Sequence, residues 1–233
     1  MNFRSSTDSP QVWVVVPAFN EATRVGEVLA SLRRYRWRIV LVDDGSSDAT
    51  AEVARQQGVV VLRHMINRGQ GAALQTGIDY ALSRDATAIV TFDADGQHSG
   101  HDLQTILEPV LAGQADVCLG SRFLGRSIGI PPHRMALLKA AVWFTRWTTG
   151  LRITDTHNGL RALSAGAAGR IRIREDRMAH ASDLLHQIAS HQLRYVERPV
   201  TIRYSQETLD KGQRSSAAVG ILTRVLVNRM FQQ

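Results

Sequence analysis

The chain has 233 residues, 44% apolar and 21% charged, enough to bury a full core without disulfides or structural metal and too apolar for long disorder. Its 28 Lys+Arg against 21 Asp+Glu give +7, but the charge is divided: residues 1–120 hold 10 basic and 14 acidic side chains (−4), residues 121–233 hold 18 and 7 (+11). The acidic half offers oxygen ligands for a cation, and the basic half suits phosphates, nucleic acid or an anionic membrane.

Val12 to Val16 is a continuous apolar run stopped by Pro17, the pattern of a strand buried on both faces. Helical spacing over 21–36 and a second apolar run, Ile39 to Val42, complete a strand–helix–strand unit. The pattern continues with a helix over Ser47 to Gln57, a strand over Val59 to Leu62, a helix over Gly71 to Ser83 and a strand over Ala88 to Phe92. Further on, the sequence predicts a strand over Val117 to Gly120, helices over Met135 to Trp147 and Met178 to Ser190, and an extended segment from Tyr195 to Tyr204. Such alternation predicts an α/β fold with a mostly parallel sheet covered on both faces, whose ligands bind beyond the carboxyl ends of the strands. The polar clusters fall at those ends: Asn20-Glu21, Asp43 to Ser46, Asn67 to Gly69 and Asp93-Ala94-Asp95.

Asp93 and Asp95 stand two apart at a strand terminus, so in extended geometry both carboxylates project to one side and share a cation. An all-oxygen ligand set favours Mg²⁺ or Mn²⁺ over zinc. Asp43 and Asp44 form a second acidic pair at the same crevice, calling for a cation or for donors such as a base N–H or ribose hydroxyls.

Five blocks, Pro17-Ala-Phe-Asn-Glu21, Val42-Asp-Asp-Gly-Ser-Ser-Asp-Ala-Thr50, Asn67-Arg-Gly-Gln-Gly-Ala-Ala73, Asp93-Ala-Asp-Gly-Gln-His98 and Gly120-Ser-Arg-Phe123, resemble in order and spacing the family 2 inverting glycosyltransferases. The nearest branch is that of the dolichol-phosphate mannosyltransferases and their bacterial polyprenyl-phosphate relatives. The resemblance covers about residues 12–215 and implies a GT-A fold and a UDP- or GDP-linked sugar donor. By motif position it implies that Pro17, Phe19 and Glu21, with Asp43 and Asp44, hold base and ribose. Asp93 and Asp95, flanking Ala94, would carry Mg²⁺ or Mn²⁺ on the diphosphate, with Gln97 beside the metal and the acceptor phosphate. Arg122 and Arg134 match family positions near the acceptor phosphate, and Asp155 to Arg161 resembles a later block that shapes the acceptor side. The chain departs from the branch at Leu138, where a serine is usual, and in the spacing of its closing block. Arg203, Lys211 and Arg214 therefore all remain open as diphosphate ligands, and the sugar is open too.

A phosphomonoester acceptor, with a second pKa near ~6, is already a dianionic nucleophile and needs little general base. Catalysis then reduces to positioning and electrostatics, with in-line displacement and inversion. A hydroxyl acceptor on a soluble sugar or another lipid is the alternative, and it requires a base. The lone cysteine, Cys118, excludes an intrachain disulfide framework and fits a reduced cytosolic compartment. No apolar run approaches the ~18–20 residues of a membrane span. The expectation is a catalytic domain over 1–215 and an amphipathic C-terminal helix over 216–233, without a transmembrane anchor, peripheral at the cytoplasmic face of the membrane. Residues 135–147 and the tail each combine basic residues with bulky apolar ones, as an interfacial helix does. The tail's other reading is a dock for a small membrane-protein partner or a second copy of the chain. A nucleic-acid-binding module is disfavoured by the acidic strand ends, and a dinucleotide oxidoreductase by Pro17 to Asn20 standing where Gly-x-Gly-x-x-Gly belongs.

Overall fold

A computed structural model describes residues 9–174 and 179–204. Seven strands form one sheet: β1 (Val12–Ala18), β2 (Arg38–Asp43), β3 (Val60–Arg63), β4 (Ala88–Thr91), β5 (Val117–Ile128), β6 (Arg161–Ser164) and β7 (Tyr195–Arg203). Their order is β3-β2-β1-β4-β6-β5-β7. All neighbours are parallel except β6, which runs antiparallel to both β4 and β5. The helices are α1 (Val25–Arg33), α2 (Thr50–Gln56), α3 (Gln70–Leu82), α4 (Asp102–Leu111), α5 (Pro132–Thr149), α6 (Ala165–Arg170) and α7 (Ala179–Ser190).

The unbroken apolar strands follow from a sheet with two covered faces. Val14 and Val16 pack with Leu29, Leu32, Leu103 and Ile106 on one side, while Trp13 and Val15 pack with Leu74, Ile78, Leu184 and Ile188 on the other. Each such side chain contributes about 1.5–3 kcal/mol when fully buried.

Element ends depart from the sequence expectation for local chemical reasons. The first helix begins at Val25 rather than 21, because the N–H groups of Asn20, Glu21 and Ala22 donate to the side chains of Ser46, Thr50 and Asp48. The second begins at Thr50 rather than Ser47, whose N–H donates to Asn20 Oδ1. Helix α5 extends to Pro132, a residue suited to a first turn, and stops at Gly150 in the left-handed region (φ 72°). Residue 178 of the helix expected over Met178 to Ser190, like Lys211, Arg214 and the 216–233 tail, lies outside the described residues. Strand β5 runs eight residues beyond its expected end at Gly120, pairing its outer part with β7. No helix among the described residues is long and apolar enough to cross a membrane.

Candidate active site

A cavity of about 490 Å³ opens at the carboxyl ends of β1, β2 and β4. Pro17, Phe19, Glu21 and Asp44 line one wall, Asp93, Ala94, Asp95 and Gln97 the floor, and Arg122, Arg134, His157, Asn158 and Arg161 the opposite wall. Phe19 on this lining is 45% exposed.

The first wall is set by hydrogen bonds between loops. Asp44 accepts from His64 Nδ1 (2.7 Å) and from the backbone N–H groups of Arg68 (2.9 Å) and Gly69 (2.7 Å). Its carboxylate is thereby committed to shaping the loop that starts α3. That loop crosses Gly45 (φ 74°), where a Cβ would stand 2.7 Å from the Ile66 carbonyl carbon, so only glycine fits. Asp43 is fully buried and is not on the cavity wall; it accepts from the Ser46 N–H (3.0 Å), and Arg63 Nε lies 3.1 Å from its other oxygen. Arg203, at the exposed end of β7, is likewise off the wall, with its backbone N–H bonded to the Gln97 carbonyl.

On the floor, Gln70 Nε2 donates to Asp93 Oδ1 at 2.8 Å, and His98 Nε2 lies 3.4 Å from Oδ2. Burial opposes ionisation of Asp93, but His98, His180 and Arg161 together hold its pKa below the usual carboxylate range. Asp95 shows the reverse. Burial and the Asp93 charge push it up to about 6, and among the described residues it accepts only the N–H of Gln97 two residues on (3.0 Å). Two neighbouring carboxylates, one of them frustrated, fit a hard divalent cation. Among the described residues no group of three or more His, Cys, Asp and Glu could hold a metal alone. The remaining positions would therefore fall to oxygens of a bound diphosphate and water, as Mg²⁺ and Mn²⁺ prefer.

Two contacts of the opposite wall have no signal in the sequence. Gly159 presses on Asp93, since a Cβ there would stand 2.0 Å from Oδ2, and its carbonyl accepts from Thr91 Oγ1 (2.6 Å). Arg122, only 6% exposed, is held by protein through all three nitrogens: Nε donates to Asp155 Oδ2 (2.6 Å), Nη1 to the Tyr204 hydroxyl and Nη2 to the His157 carbonyl (2.7 Å). Burial opposes this charge, yet Asp155 and Tyr204 raise the Arg122 pKa above its ordinary value. Glu197 completes the scaffold by accepting from the N–H groups of Thr154 (2.8 Å) and Asp155 (3.2 Å). Arg134, on α5, stacks over the Tyr204 ring at 5.2 Å.

Comparisons with known proteins agree with this architecture. Residues 13–176 match the family described as Glycosyl transferase family 2. The chain is 37% identical over 229 residues to an uncharacterized protein of Methanocaldococcus jannaschii, covering 95% of this chain and 93% of that one. It is 26% identical to the UDP-N-acetylglucosamine–dolichyl-phosphate N-acetylglucosaminyltransferase of Methanococcus voltae (94% and 96% covered). It is 29% identical to the undecaprenyl-phosphate mannosyltransferase of Micrococcus luteus (90% of each). Among solved structures, glucosyl-3-phosphoglycerate synthase from Mycobacterium tuberculosis, crystallised with Mn²⁺, UDP and phosphoglyceric acid, superposes with TM-score 0.70 at 16% identity, covering 92% of this chain and 78% of that one. With a GT-A sheet, paired carboxylates at the end of β4 and a family match over most of its length, the chain belongs to glycosyl transferase family 2.

Proposed function

We propose that this glycosyltransferase moves a sugar from a UDP- or GDP-linked donor to a polyprenyl phosphate, with inversion and at a membrane surface. The observation that carries the reading is the polarity of the cavity: a carboxylate floor at Asp93 and Asp95 faces a wall holding three arginines, Arg122, Arg134 and Arg161. Such a site takes a metal diphosphate on one side and an anionic nucleophile on the other. The two relatives with named activities support it, since one acts on dolichyl phosphate and the other on undecaprenyl phosphate. They carry different sugars, so the polyprenyl phosphate is their common element and the sugar of this chain stays open.

Pro17, Phe19 and Glu21 would receive the nucleoside, on a wall that Asp44 holds in shape. Asp93 and Asp95 would hold Mg²⁺ or Mn²⁺, which offsets charge on the leaving diphosphate. Gln97 sits beside Asp95, and Arg134, on the cavity lining, would face the incoming phosphate. Lys211 remains, with Arg203 and Arg214, a proposed diphosphate ligand. His157 is pushed down to about 4 by burial, so it is neutral at pH 7 and a weak base for a hydroxyl acceptor. That favours a nucleophile which is already an anion.

Contact with the bilayer is supported by residues 117–154, which contain six basic and no acidic side chains. The same stretch exposes Leu124, Ile128, Leu137, Trp143 (70%) and Trp147 (61%). Basic residues among exposed indoles and aliphatics suit an anionic interface.

The test is a transfer assay with UDP- and GDP-sugars and Mg²⁺ or Mn²⁺, using farnesyl phosphate in solution and undecaprenyl phosphate in anionic vesicles. The expected product is an inverted sugar phosphodiester, formed faster on vesicles. Transfer to soluble hydroxyl acceptors alone refutes the reading.

A further inference from the structure

The family resemblance implies two arginines near the acceptor phosphate, Arg122 and Arg134, and in the structure every guanidinium nitrogen of Arg122 already donates to protein. Its Nε, Nη1 and Nη2 donate one bond each, to Asp155, Tyr204 and His157, which leaves one N–H on each Nη. Arg161 is in the opposite condition. It is 4% exposed, yet among the described residues its side chain makes one hydrogen bond, a long one of 3.5 Å from Nη2 to the Thr156 carbonyl, and has no carboxylate within 4.0 Å. A guanidinium carries five N–H donors and does not lose its charge near neutral pH. Burial lowers the Arg161 pKa to about 10, against the pull of Asp93 and Asp155, so it remains a cation. A buried cation with idle donors is costly unless an anion completes it. A second, independent observation lies three residues away. Asn158 is 3% exposed and lines the same cavity, and its Nδ2 is buried with no acceptor among the described residues.

Topology says which anion. Because β6 runs antiparallel, its first residue, Arg161, lies at the carboxyl edge of the sheet, in register with Thr91 of β4 and Leu119 of β5. The nucleoside wall comes from β1 and β2, on the other side of β4. Arg161 therefore stands across the metal carboxylates from the donor, the side from which an in-line nucleophile must approach.

We propose that Arg161, with Asn158, binds the phosphate of the acceptor, while Arg122 also holds Asp155, His157 and Tyr204 around that site. The proposal rests on the acceptor reading above and is tested so that the two can fail separately.

In the full-length chain, Arg161→Met, Arg161→Lys and Arg122→Met are compared with wild type by calorimetric binding of farnesyl phosphate, inorganic phosphate, and UDP or GDP with Mn²⁺, and by thermal melting. The expected result for Arg161→Met is a loss of ~10- to 100-fold in farnesyl phosphate affinity, the worth of charge-assisted hydrogen bonds. Nucleotide affinity should be unchanged and the melting temperature equal or higher, with Arg161→Lys recovering part of the loss. Arg122→Met should instead melt lower, because it strips a buried carboxylate of its partner. A selective loss of nucleotide affinity in Arg161→Met overturns the proposal in favour of a diphosphate ligand. A lower melting temperature with farnesyl phosphate binding intact overturns it in favour of a structural counter-charge. Wild-type binding of inorganic phosphate that depends on Arg161, with no binding of farnesyl phosphate, upholds the anion site and refutes the polyprenyl acceptor.

Discussion

Replacing Asp95 by Asn should abolish transfer and at the same time stabilise the metal-free protein. The Asp95 carboxyl titrates at about 6 instead of 3.8, chiefly through burial and secondly through the Asp93 charge. An acid whose folded-state pKa is raised holds its proton more tightly folded than unfolded, so its stabilising contribution is complete below about pH 4 and lost as the pH rises through 6. Two pKa units at ~1.36 kcal/mol each set an upper bound of about 3 kcal/mol on the penalty at pH 7.5, less where solvent screens the group. Asparagine fills the same space without charge. In EDTA at pH 7.5 the Asp95→Asn protein should melt up to ~6–12 °C above wild type, given ~2–4 °C per kcal/mol for a chain of this size. The gap should close toward pH 4. Mn²⁺ with UDP or GDP should raise the wild-type midpoint and leave the variant's in place. A variant less stable than wild type in EDTA at pH 7.5, or an equal gap at both pH values, would refute the argument that the two carboxylates repel each other across a space meant for a cation.

Gly159→Ala puts a methyl group 2.0 Å from Asp93 Oδ2, so the carboxylate or the 158–160 backbone must move. Mn²⁺-dependent nucleotide binding should weaken at least ~10-fold, because a displacement near 1 Å at a catalytic group costs on that scale. Binding titrations at fixed nucleotide check it. His157, neutral above about pH 5, should have no part in the pH–rate profile. His157→Gln should leave that profile unchanged in shape between pH 6 and 9, measured as kcat/KM for farnesyl phosphate.

The donor half of the cavity is legible in the sequence because each polar cluster directly follows an apolar run. A parallel strand delivers its last residue to the ligand edge, so Glu21, Asp44 and Asp93 can be placed by reading forward. The other half defeats that reading. Strand β6 is four residues long with an arginine at its start, and its direction is reversed, so its ligand-edge residue comes first. Helix α4 follows a polar turn and contains Pro109, which masks its period. The outer part of β5 alternates exposed and half-buried residues around Gly125, and it is legible only once β7 is beside it. Arginine identity is uninformative where 26 of 28 basic residues are Arg. The partner of Arg122 lies 33 positions away, and a contact at that separation has no signature in local spacing.

The pairing of Thr91 with Arg161 has a metric consequence. The proposed metal carboxylates follow the end of one strand and the proposed anion ligand begins its neighbour in the sheet, so the backbone ladder would act as a ruler between leaving group and nucleophile. A slip of one residue would alter that gap by ~3.3 Å and turn every side chain to the other face, so the interval is quantised. Drift in the side chains around the cavity can retune which sugar or which lipid is accepted while the reaction distance stays as the sheet cut it.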